Sequence, residues 1–227
     1  MLMVIFGAGA SYDSAPSYPP GMGLVERPPL ADQLFENREQ FAGVLKQFPE
    51  CHEIVPRLRH RSGNSVEREL EALQAQAETH PERHRQLAAV RYYLQLMLFD
   101  CQARWEDLIK GVSNYKTLLD DINRLKKGQQ VCLVTFNYDT LLESALPTVG
   151  TQIHGLRDYI TGNYKIIKLH GSINWGREVD TPIENPDARD PRDTIRELIR
   201  RAGEIRIGPG YHLLSGWPAA RVEKTVV

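Results

Sequence analysis

Val131-Cys-Leu-Val-Thr-Phe-Asn-Tyr-Asp139 is an apolar, β-branched run of strand length that ends in an amide and a carboxylate. The same construction occurs twice more. Upstream stands Met1-Leu-Met-Val-Ile-Phe-Gly-Ala-Gly-Ala-Ser11, and downstream Ile166-Ile-Lys-Leu-His-Gly-Ser-Ile-Asn-Trp175, which delivers His170 and Gly171 onto a turn. These runs predict strands over 2–6, 131–136 and 164–169, the first of them buried on both faces as in a parallel sheet. In an open parallel α/β sheet, ligands bind beyond the carboxyl ends of the strands. A glycine-rich turn, an amide, a carboxylate and an imidazole would then surround one crevice.

The connections differ in character. Residues 12–29 hold five prolines and two glycines and read as a loop, after which Leu30-Ala-Asp-Gln-Leu-Phe35 opens a helix. From about 36 to 127 apolar positions recur at helical spacing, as in Ser65–Ala77 and Arg85–Leu98, with breaks at Gly63 and Pro81. That block is much longer than a simple βαβ crossover requires, so it reads as an inserted helical layer or subdomain. Thr140-Leu-Leu-Glu143 has the form of a capping box ahead of a short helix ended by Pro147. Thr194–Arg201 reads as an amphipathic helix, and the stretch around Gly208-Pro-Gly210 carries weak strand signals.

Composition bounds the function. The 227 residues suffice for one sizeable domain, and 41% hydrophobic with 25% charged residues is ordinary for a globular protein. A net charge of -1 gives no reason to expect nucleic acid or an anionic membrane as partner. Cys51, Cys101 and Cys132 form no Cys-x-x-Cys pair, which fits a reducing compartment and argues against a disulfide framework or a thiolate zinc site. The apolar N-terminus lacks the positive region of a signal peptide, and no stretch reaches the ~18 apolar residues of a membrane span. A cytoplasmic location is expected.

Each junction has a functional and a plain reading. Gly7-Ala8-Gly9-Ala-Ser11 is half of a dinucleotide fingerprint, in which glycine permits a tight turn and a close approach of backbone N–H groups to phosphate. Tyr12 stands where a third glycine would be, and the acidic residue expected about 20 positions on has no clear counterpart, although Glu26 is nearby. The alternative is an ordinary strand-to-loop turn. Asn137 can hydrogen-bond an amide-bearing ligand or orient a water, yet Asx residues after a strand commonly cap the next helix, and Asp139 or Thr140 fits that role. His170 follows an apolar strand at the expected ligand edge, where a histidine serves as general base. His80 and His84 stand four apart, but Pro81 between them disrupts a common helix face and no third metal ligand is apparent.

Taken in order, Gly7-Ala-Gly-Ala-Ser11, Thr135-Phe-Asn-Tyr-Asp139 and His170-Gly171 resemble the SIR2 family, whose pattern runs Gly-Ala-Gly-x-Ser, Thr-x-Asn-x-Asp, His-Gly. The flanking words Arg27-Pro-Pro-Leu-Ala-Asp-Gln-Leu-Phe35, Asn137-Tyr-Asp-Thr-Leu-Leu-Glu143 and Lys168-Leu-His-Gly-Ser-Ile-Asn-Trp175 are similar to the bacterial SIR2-like branch. The resemblance covers residues 2 to about 176. It implies an α/β fold with a Rossmann-like parallel sheet flanked by helices and a largely helical insertion between the first and second strands. The whole of 1–227 would be a single SIR2-like domain, with 36–127 as that insertion.

The implied activity is cleavage of the nicotinamide–ribose bond of NAD⁺, depleting the nucleotide in bacterial antiphage defence. NAD would be substrate. The turn of Gly7, Ala8, Gly9 and Ser11 would hold its pyrophosphate, with Asp13, Thr135 and Gly171 also lining the cofactor site. Asn137 would orient the ribose or the attacking water, Asp139 the carboxamide, and His170 would act as base. The paired Cys-x-x-Cys zinc module of deacylating sirtuins is lacking, so no zinc is expected and protein deacylation is the weaker expectation. Further strands, with a Gly-x-Ser turn and an acid for the adenosine side, are expected of the family but not found before Val227. A homo-oligomer, or a sensor or activator protein beside the chain, is the expected partner. The competing expectation is a module that binds NAD or ADP-ribose without turnover. A hydride-transferring oxidoreductase fits least.

Overall fold

The computed structural model describes residues 1–15, 27–60, 65–180 and 190–214. In chain order the regular elements are β1 (Leu2–Phe6), α1 (Ala8–Tyr12), α2 (Glu39–Leu45), α3 (Val55–Arg59), α4 (Val66–Gln76), α5 (Glu82–Ile109), α6 (Asn114–Leu125), β2 (Val131–Thr135), α7 (Leu141–Ala145), β3 (Tyr164–Lys168), β4 (Trp175–Asp180), α8 (Pro191–Arg200) and β5 (Arg206–Leu213). The chain is thus mixed α/β, and β1, β2 and β3 form one parallel sheet in that order. The register aligns Phe6, Thr135 and Lys168 at the carboxyl ends of the three strands.

Contacts divide the chain into two compact units, residues 1–30 with 98–175, and 31–97 with the described residues from 176 onward. The helical block between β1 and β2 is shared between them. In the first unit one face of the sheet carries Val131, Leu133, Tyr164 and Ile166, all buried, together with Phe6, Thr135 and Lys168. Alternation along a strand sends the other set to the opposite face. There Met3, Ile5, Ile167 and Leu169 are exposed, Ile5 by 62%. The expectation that β1 is buried on both faces is therefore corrected: it is an edge strand with one face open. An unbroken apolar run carries no period and so does not report which face is covered.

The second unit contains α2, α3, α4, the first part of α5, α8 and the two-stranded sheet of β4 and β5. Helix α4 starts where Ser65 accepts the Arg68 N–H at 3.3 Å, as a serine N-cap should. The helix expected to open at Leu30 is absent; Ala31–Phe35 is a turn and α2 starts only at Glu39. The carbonyls of Leu34 and Phe35 accept instead from the Tyr93 hydroxyl at 3.2 Å and from Arg59 Nε. Both side chains are buried, and Phe35 stacks on Tyr93 with centroids 5.7 Å apart. Tertiary anchoring overrides helical propensity here. His80 lies before α5, its ring bonded to Thr79 Oγ1 at 2.8 Å, while His84 lines a mixed polar and apolar cavity of about 270 Å³ with Gln74, Arg91, Tyr92, Leu198 and Ile207. No group of three or more potential metal ligands occurs among the described residues, and no helix among them is long and apolar enough to cross a membrane. Gly63, Glu26 and most of the proline-rich loop lie outside the described residues.

Candidate functional site

Beyond the aligned end residues, the strands continue one step further as a ladder. Phe136 N–H donates to the Phe6 carbonyl at 3.1 Å, and Leu169 N–H to the Thr135 carbonyl at 3.0 Å. Asn137 and His170 each follow two residues after the aligned pair Thr135 and Lys168, so both emerge at the same sheet edge. The two loops are tied together. Ile173 N–H donates to the Tyr138 carbonyl at 2.9 Å, and the Ser172 hydroxyl does so at 3.3 Å. The turn that makes this possible depends on Gly171, whose φ of +85° is a left-handed conformation that other residues adopt at a cost. His170 itself is exposed, its ring against Phe136 edge-on at 5.4 Å and tilted over Tyr138 at 5.8 Å.

Gly7 to Ser11 departs from the expected tight turn. Gly7 has ordinary extended backbone (φ −97°), and α1 begins at once with Ala8. A Cβ on Gly7 or Gly9 would meet nothing within 4 Å. Neither glycine is required by the fold's own packing or backbone; what they provide is open space beside the strand end. Asp13, at the end of α1, is exposed and pairs with Arg27 at 2.6 Å.

The centre of the site is a buried polar cluster. The Asn137 side chain donates through Nδ2 to Ser11 Oγ at 2.8 Å and to the Tyr115 hydroxyl at 3.2 Å, and those two hydroxyls are 3.0 Å apart. Thr135 accepts the Asn137 backbone N–H through its own hydroxyl at 3.0 Å. Asn137 Oδ1 is buried and has no hydrogen-bond partner. Such an acceptor costs free energy of about 1–3 kcal/mol when left unmet, and sites with this feature call for an explanation.

Asp139 completes the cluster from below. Its Oδ1 accepts the Leu141 N–H at 3.1 Å, so it does start α7. The capping box expected at Thr140 is not formed: Thr140 makes no side-chain cap and bonds Gln102 instead, through its N–H at 2.8 Å and its hydroxyl at 2.7 Å. Burial above all pushes the Asp139 carboxyl above the usual carboxylate range, opposed by the positive charge of Lys168, the Ser11 hydroxyl and the Leu141 N–H. Glu143, the expected partner in the capping box, is committed elsewhere. It forms a buried ion pair with Lys168 at 2.8 Å and accepts from the Tyr159 hydroxyl at 3.1 Å. Lys168 Nζ also donates to the Asp139 carbonyl. The pair thereby clamps the end of β3 to the Asn137–Asp139 loop.

The chain thus brings Gly7, Ala8, Gly9, Ser11, Thr135, Asn137, Asp139, His170 and Gly171 to the carboxyl ends of three adjacent strands. Tyr115, Lys168 and Glu143 were not foreseen. For Lys168 a signal existed, since its position alternates with Tyr164 and Ile166 on the covered face. For Tyr115 there was none, because it reaches the site from α6. The arrangement offers two unmet buried acceptors, Asn137 Oδ1 and Glu143 Oε2, with room at the glycines and a surface imidazole, which is chemistry suited to a hydroxyl-bearing ligand and a proton transfer. Compared with known proteins, the chain matches no family model, no curated protein and no solved structure.

Proposed function

We propose that this chain is a SIR2-like NAD⁺ glycohydrolase, with a Rossmann-like sheet and a helical insertion over 36–127, acting in bacterial antiphage defence by depleting NAD⁺. The observation that carries the reading is Asn137: a carboxamide fixed through its nitrogen, with its buried Oδ1 unmet, just beyond the carboxyl end of β2, on the sheet edge where His170 follows β3. In the reaction the bond between ribose C1′ and the pyridinium nitrogen breaks. Nicotinamide leaves with the electron pair, and the cation on the ribose is trapped by water. Because the leaving group starts out positively charged, the site needs positioning and a base more than a strong acid. Asn137 orients the ribose or the water, and His170 takes the water's proton. The open space at Gly7 and Gly9 admits the pyrophosphate, with Ser11 at the end of the same turn. Asp139 contributes less directly than a carboxamide contact requires, since one of its oxygens is already spent on Leu141.

The exposure of His170 favours a second reading, a module that holds NAD or ADP-ribose without turnover. Nicotinamide release by the purified chain separates the two. Release that is lost in His170→Ala and Asn137→Ala supports the hydrolase. Absence of release with thermal stabilisation by ADP-ribose supports the binding module, and release that survives both substitutions rejects the site.

A further inference from the structure

We infer that Tyr115 is a positioning residue for this site, acting through the Asn137 carboxamide and not on the ligand; the inference rests on the reading of Asn137 as the group that meets the ligand. Tyr115 is held from several directions. Its backbone N–H donates to Ser113 Oγ at 3.2 Å at the start of α6. Next to it, the Asn114 backbone N–H donates to the Ser14 carbonyl at 2.6 Å, and Asn114 Nδ2 donates to the Asp13 carbonyl at 2.7 Å. Its ring packs edge-on against Phe6 with centroids 5.4 Å apart. The start of α6 is therefore stapled to the segment after α1 and to the end of β1, and Tyr115 is 3% exposed.

Proton accounting gives the hydroxyl its role. Ser11 lies beside the Asp139 carboxyl, an oxygen of which can take the serine proton whether the acid is neutral or ionised. Tyr115 then donates to Ser11, and both oxygens are left to accept the two protons of Asn137 Nδ2. A carboxamide so held cannot turn over without presenting its oxygen to hydroxyls whose protons point elsewhere. Oδ1 is thus kept free for the ligand. Burial raises the Tyr115 phenol well above its ordinary range, so the hydroxyl keeps its proton at any working pH.

The test compares the wild-type chain with Tyr115→Phe, Asn137→Ala and the double variant, and with Tyr164→Phe as a control. Tyr164 is a buried tyrosine whose hydroxyl bonds Asn123 at 3.3 Å, away from the cluster. In nicotinamide release, Tyr115→Phe is expected to lower kcat roughly tenfold or more with KM within about threefold, while Tyr164→Phe leaves kcat unchanged. The double variant should be no slower than Asn137→Ala alone, because one residue acts through the other. Additive losses, or an equal loss in Tyr164→Phe, would overturn the inference. A second readout needs no NAD. The side-chain amide resonance of Asn137, identified by its loss in Asn137→Ala, should be protected from exchange in wild type and lose protection in Tyr115→Phe. If wild type releases no nicotinamide, the hydrolase reading fails, and the amide resonance alone decides the role of Tyr115: unchanged protection refutes it.

Discussion

Thr135 accepts the backbone N–H of Asn137 through its hydroxyl at 3.0 Å, so the last residue of β2 sets the exit direction of the residue that carries the site. Thr135 is 1% exposed, and no water replaces that acceptor when it is removed. Thr135→Val keeps the branched shape and leaves a buried N–H unmet, which is expected to destabilise by about 1–3 kcal/mol. Urea unfolding checks this. A variant as stable as wild type would mean that the N–H finds another partner.

Lys168 and Glu143 form an ion pair with the lysine side chain fully buried. Removing one partner strands a charge in the interior. Lys168→Met is expected to cost about 3–5 kcal/mol, whereas Lys168→Met combined with Glu143→Leu should recover much of that loss, since apolar replacement of a whole buried pair is often neutral. Chemical denaturation of the three proteins decides it. Equal destabilisation by the single and double variants would show that the hydrogen bond to the Asp139 carbonyl, not the charge pairing, carries the stability.

Asp139 predicts a pH dependence with a definite sign. Burial raises its folded-state carboxyl above the unfolded value, so the native state binds its proton more tightly. The stability this gives is present below the usual carboxylate range and is lost as pH rises through the folded value. Asp139→Asn keeps an oxygen for the Leu141 N–H and cannot ionise. From about pH 4 upward, wild type should lose thermal stability relative to that variant. A difference that is flat, or that runs the other way, would sink the assignment.

Cys51 is fully buried, and burial pushes its thiol up to about 12. The thiolate is the reactive species, so alkylation at pH 8 should be very slow in the native chain. Cys101 and Cys132 are buried as well. Mass spectrometry after iodoacetamide treatment should find no modification in the native state and three sites after denaturation. Rapid native labelling of Cys51 would contradict its placement.

The two faces of the parallel sheet should respond differently. Leu133 is fully buried, and Leu133→Ala is expected to cost about 2–5 kcal/mol. Ile5 is mostly exposed, and Ile5→Ser should change stability by no more than about 0.5 kcal/mol. Comparable losses from both would place a cover over Ile5 in solution.

What the sequence determined alone was whatever depends on neighbours along the chain. Apolar runs located three strands to within a residue; helical spacing over Ser65–Ala77 located α4; glycine at 171 matched a turn with φ of +85°. Ordering three such strands in parallel then brought the residues that follow their ends, Asn137 and His170 among them, to one sheet edge. Tertiary structure decided the rest. Whether β1 has one or two covered faces depends on what packs over it, and an unbroken apolar run does not encode that. The fate of Leu30–Phe35 was set by Tyr93 and Arg59, which take the carbonyls a helix would have used. Glu143 left its expected cap for Lys168, 25 residues away, because a buried ammonium needs a counter-charge more than a helix end needs a second carboxylate. Tyr115 meets Ser11 across a separation of 104 residues. No local period reports a hydrogen bond of that span; it exists only once α6 is packed against the end of β1.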